Sequence, residues 1–215
     1  MNAAHNNLLS NFISMQEEFN SSNNRAIREV SKLIDNNLED FLSSLKYLND
    51  EYVVIDVRDL EQEFESLKSE LKDVWNIHVL KYCKNFNKEK KLLKQELCSF
   101  FKEKLLKGSE CKRKMSCYIK RSLDKMCDFN VVSLEEEIDN VIYNFKVNFE
   151  YKYLHDEYCK DDFNKIVRTF KHMLMSEIRD KTISTVSDFQ DIVSRYADKG
   201  YEITDHYRCG KKIRP

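Results

Sequence analysis

Lys112, Arg113, Lys114, Lys120 and Arg121 crowd into one short stretch, CKRKMSCYIKR (111–121), with Tyr118 among them. On a helix, positions 113, 114, 117, 120 and 121 lie close to one side. Clustered cations of this kind hold phosphates and release their counterions. An aromatic ring beside them can stack on an unpaired base. Tyr82, Phe86 and Phe101 are further stacking candidates in the basic block 81–125. The chemistry expected of Lys112, Arg113, Lys114, Tyr118, Lys120 and Arg121 is sequence-nonspecific RNA binding, and they match no nucleic-acid motif. The competing expectation is a solvated helix face whose charges meet those of a neighbouring helix.

Metal and nucleophile chemistry are weaker expectations. The seven cysteines stand at 83, 98, 111, 117, 127, 159 and 209, with no C-x-x-C pair. The spacing of Cys111, Cys117 and Cys127 fits no common zinc pattern. His155 and Cys159 are one helical turn apart, and His172 would join them if it lay on the next, antiparallel helix. Thiols acting as small apolar groups are the simpler reading. No G-x-S-x-G, Walker A or G-x-G-x-x-G motif occurs, and three glycines cannot build such loops. The acid clusters LEEEIDN (134–140) and DEYCKDD (156–162) read as helix N-terminal charge and solvated faces. Neither catalytic residue, metal, cofactor nor small-molecule substrate is expected.

The elements that must carry these residues follow from composition. Of 215 residues, three are glycine and one is proline, Pro215, while apolar residues make up 41%. Sheet folds spend Gly and Pro on turns, so long helices joined by Asn, Asp and Ser are expected. Leu8, Leu9, Phe12, Met15 and Phe19 share a helical face. NSSNN (20–24) reads as a break before a helix from about 25 to 49, with Asn37 and Ser44 at alternate seam positions. Val57, Leu60, Phe64, Leu67, Leu71 and Val74 alternate by three and four, the seam of a packed helix. Gly108 and Gly200 read as helix ends. Ser133/Glu136 and Ser187/Gln190 read as capping boxes. The fold class expected is all-α: an irregular bundle of about six to eight helices. One minor two-stranded β pairing, 52–57 with 201–207, is also expected. Residues 1–215 form one helical domain, with a weak boundary near 128–133 and a flexible basic tail at 208–215.

Charge falls in blocks. Residues 26–75 carry 13 acids and 6 bases, 81–125 carry 15 bases and 5 acids, and 128–162 carry 10 acids and 3 bases. Helices of opposite sign packed side by side would explain this, and each surface pair contributes little. The functional expectation is a non-enzymatic helical interaction or accessory protein acting through protein–protein contacts or self-association. RNA binding by 81–125 is the alternative. No window approaches a membrane span. The odd, irregular cysteine set suggests reduced thiols in the cytoplasm. Abundant Lys, Asn, Asp, Phe and Tyr with four alanines is the bias of an AT-rich genome, such as a virus's.

Overall fold

The computed structural model describes residues 3–52, 55–102, 117–119, 121–122, 124–126 and 129–208. Four helices stand among them: α1 Ala3–Tyr52, α2 Val57–Lys102, α3 Val131–Tyr153 and α4 Glu157–Arg208. Residues 117–126 are helical wherever they are described, and no strand occurs among the described residues. The all-α class holds, with fewer and longer helices than the six to eight expected. The β pairing is corrected: Tyr52 closes α1, Val57 opens α2, and 201–207 continue α4. Gly108 and residues 209–215 of the expected tail lie outside the described residues.

Helix starts are set by Asx side chains. Asp56 Oδ1 accepts from the Arg58 amide at 2.9 Å, and Asp156 Oδ1 from the Tyr158 amide at 2.9 Å. Asn130 Oδ1 accepts from the Ser133 amide at 3.0 Å. Each bond satisfies a donor that a helix N-terminus leaves without an intrahelical partner. Ser133 is therefore a first-turn residue and Asn130 the cap, which corrects the expected capping box.

The expected breaks at 20–24, 187 and 200 are absent, since α1 and α4 run straight through them. The reason is apolar spacing. Met15, Phe19, Ala26, Val30 and Ile34 are buried on one continuing face, as are Leu174, Ile178, Thr182, Phe189, Val193 and Tyr196. With no proline to stop the chain, Asn and Ser serve as outward-facing helical residues.

The chain divides into two compact units. One comprises Met1–Asn24, Lys81–Phe129 and Thr185–Pro215; the other comprises Arg25–Leu80 and Asn130–Ser184. The second is an antiparallel four-helix bundle, and its contacts show the direction of every neighbour. Asp35 meets Lys72 while Phe41 meets Phe64, so numbers rise along α1 as they fall along α2. His78 meets Glu137 and Lys152 meets Glu63 across α2 and α3. Arg179 meets Glu135 and Phe149 meets Phe163 across α3 and α4. Lys181 meets Glu29 and Phe41 meets Phe170 across α4 and α1. Inside, Phe41 touches Phe64, Phe145 and Phe170. The α2 seam continues through Trp75, His78 and Val79; Val74 is only half-buried. Ion pairs between helices form the rims: Lys171–Asp139 and Arg179–Glu135 join the acidic block 128–162 to the basic stretch after it, whereas Asp35–Lys72 and Lys152–Glu63 pair residues of the acidic blocks themselves.

The first unit has its own core. Phe19 stacks on Phe86 and packs against Phe189, and Met15, Tyr82, Leu93, Leu97, Ile119 and Met126 surround them. Glu18 accepts from Arg195 at 2.8 Å and from the Tyr196 hydroxyl at 2.5 Å.

Phe41→Ala is expected to cost about 3–5 kcal/mol in urea denaturation. Asn144→Ala, at an exposed position of α3, should stay within about 0.5 kcal/mol of the parent. A Phe41→Ala loss as small as that at Asn144 would contradict the packing. Acid sensitivity follows from the rims. Burial alone would raise the Asp35 carboxyl, but Lys72 and Lys68 outweigh it and hold it below its ordinary value. The hydrogen bond from Arg179 likewise lowers Glu135. A carboxylate held lower in the fold than in the unfolded chain adds stability above its unfolded value, near pH ~4. That contribution fades as pH falls through the folded value. Asp35→Asn/Glu135→Gln should therefore show a shallower loss of stability on acidification than the parent; an equal loss would contradict these pairs.

Candidate interaction surfaces

Of the residues expected to bind RNA, Lys112, Arg113, Lys114 and Lys120 lie outside the described residues. Tyr118 is half-buried and packs against the core of the first unit, and Arg121 is exposed. The expected stacking rings need correction. Tyr82 is 3% and Phe86 0% exposed, because the apolar face of α2 runs on past Trp75 and turns both rings inward. The Phe101 side chain lies outside the described residues.

The reactive groups do not converge. His155 and His172 are exposed while Cys159 is buried. Cys159 and His172 share α4, about 20 Å apart along its axis at a rise of about 1.5 Å per residue. The three-residue zinc cluster that two antiparallel helices would have built is thereby overturned. Among the described residues no group of three His, Cys, Asp or Glu side chains could hold a metal ion. Cys83, Cys117 and Cys159 are free thiols. Burial pushes the Cys83 thiol up, and burial with the charges of Asp156 and Asp162 pushes up Cys159. Both are held as thiols, the form that does not attack.

Two polar contacts inside the bundle were not foreseen. His78 is 5% exposed, with Nε2 3.1 Å from Glu137 Oε1. Asn37 is buried and donates to Glu177 Oε2 at 2.9 Å. Polar partners at seam positions fix which turns of neighbouring helices face each other. A groove of about 310 Å³ lies between α1 and α4, lined by Phe41, Ser44, Ile166, Thr169 and Met173. His78 lies outside it.

Two outer faces stand out. On α3, Tyr143, Val147 and Tyr151 recur every fourth residue and are 62%, 42% and 86% exposed. They point opposite to Leu134, Ile138, Ile142, Phe145 and Phe149, which are buried. On α2, the exposed Lys81, Lys84, Lys88 and Lys91 lie opposite the buried Tyr82, Phe86, Leu93 and Leu97, with exposed Lys94 at the edge of the row. The first face was hidden because an aromatic on a helix usually marks the core. The second lies within the basic block 81–125, its lysines spread along about four turns. No helix among the described residues is long and apolar enough to cross a membrane. No protein-family model, curated protein or solved structure matches this chain.

Peptide-resolved maleimide labelling tests the thiol environments. Cys159 should label far more slowly than the exposed Cys117 in the native protein and at an equal rate in denaturant. Equal native rates would contradict its burial.

Proposed function

We propose that this chain is a non-enzymatic helical interaction protein that works through protein–protein contacts, and first through a second copy of itself. The observation that carries this reading is the Tyr143–Val147–Tyr151 stripe. Monomers scatter exposed apolar residues singly, whereas a contiguous patch marks a docking face. Tyrosine is among the residues enriched where proteins meet.

The stripe is symmetric about Val147, with a tyrosine four residues to either side. In a twofold pair each residue i meets j while j meets i. An antiparallel second α3 would place Tyr143 of each copy against Tyr151 of the other, with the two Val147 side chains at the axis. An amino-acid bias like that of AT-rich genomes suits an accessory factor of a virus or a similar source.

Sedimentation velocity over a wide concentration range tests the reading. The parent chain should rise from its 25.8 kDa monomer toward a dimer. Tyr143→Ser/Tyr151→Ser should remain monomeric with unchanged helicity. A parent that stays monomeric throughout, or a variant that associates equally well, would overturn it.

A further inference from the structure

The outer face of α2 carries a second surface of different chemistry. Lys81, Lys84, Lys88 and Lys91 follow one another by three or four residues, and Lys94 extends the row. All five are exposed. Asn87 and Gln95 fill spaces between them, and Asn85 and Leu92 lie along one edge of the row. Exposed Glu96 and half-buried Glu89 border the row beyond that edge, between it and the core.

Among the described residues, the row stands apart from the paired cations. Lys68 and Lys72 meet Asp35, Lys152 meets Glu63, Arg179 meets Glu135 and Arg195 meets Glu18. Lys81, Lys84, Lys88, Lys91 and Lys94 form no ion pair among the described residues. Lys90, on the adjoining flank, donates to Gln16, a neutral partner. Burial, with the like charge of Lys94, pushes the Lys90 amine below its ordinary value.

Such a row is complementary to a regular line of negative charge. From Lys81 to Lys94 it spans about 20 Å at about 1.5 Å per residue. A nucleic-acid strand carries one phosphate per nucleotide, so a row of this length can meet several phosphates in succession. Two other occupants fit less well. A helix lying on an anionic membrane needs an apolar face to insert, and the apolar face of α2 is sealed into the core. Protein interfaces are depleted in lysine and anchored by aromatic or arginine side chains, and this face has neither. Lysine, asparagine and glutamine are side chains that meet phosphate oxygens.

We propose that the outer face of α2, Lys81, Lys84, Lys88, Lys91 and Lys94, binds the phosphate backbone of a nucleic acid without reading its bases. The assignment is independent of the α3 stripe and moves phosphate binding to a face whose rings are buried.

Fluorescence anisotropy of the full chain with a labelled single-stranded oligouridylate tests it. Binding at low salt should weaken as salt rises, with a log–log slope of about −3.5 for five lysines on a single strand. Lys84→Gln/Lys88→Gln/Lys91→Gln should reduce that slope to about −1.4 and lower affinity at least tenfold. Lys32→Gln/Lys46→Gln, which removes exposed lysines from the other unit, should bind like the parent. An oligoadenylate of equal length should bind within a few-fold, because no exposed ring on this face can favour one base. Four results would overturn the proposal: no binding at low salt; equal loss in both variants; an unaffected Lys84/Lys88/Lys91 variant; or preferential binding to phosphatidylserine vesicles or polyglutamate, again through these lysines. Helical circular dichroism of each variant separates loss of binding from loss of fold.

Discussion

The structure depends on one constraint: a backbone with almost nothing to break it. Proline removes a helix's internal donor and glycine loosens its backbone. With the only proline at 215 and glycine nearly absent, a helix here continues for as long as its apolar side chains keep finding a core. The buried face of α1 persists from Met15 to Leu45, and that of α4 from Cys159 to Tyr196. α2, α3 and α4 each begin where an Asp or Asn holds a first free amide, at Asp56, Asn130 and Asp156. Burial keeps these helices going, and Asx caps decide where they start.

That constraint explains which features were legible in the residues. Leu60, Phe64, Leu67 and Leu71 announce their helix because burial demands their three-and-four spacing. Asn and Ser in 20–24 suggested a turn because they favour turns when nothing opposes them. In α1 the apolar residues on both sides share one face, and burying that face outweighs the weak local preference. Ser133 was mistaken for a cap for a related reason. Its hydroxyl could have served, but Asn130 lies one turn earlier and takes the Ser133 amide itself.

The candidate surfaces were harder to read than the fold. Over eleven residues the net positive charge is highest at 111–121, where five cations stand with no acid. The row from Lys81 to Lys94 becomes visible only once Tyr82, Phe86, Leu93 and Leu97 show which way the core lies. The same knowledge removes Tyr82 and Phe86 as stacking rings. Tyr143 and Tyr151 were equally ambiguous, because an aromatic can mark either a core or an interface. Phe145 and Phe149, beside them in sequence, take the buried side. His78 shows the limit of pattern reading from the opposite direction: a polar residue at a seam position suggests that the seam ends, yet Glu137 receives it and the seam goes on.

The continuous buried faces of α1 and α4 rest on both helices being unbroken. Amide hydrogen exchange resolved along the chain measures that directly. Protection is expected to continue through residues 20–24 of α1 and 184–188 of α4 at levels like those of the flanking turns. Exchange there at the rate of an open loop would divide α1 and α4 into shorter helices and contradict the account.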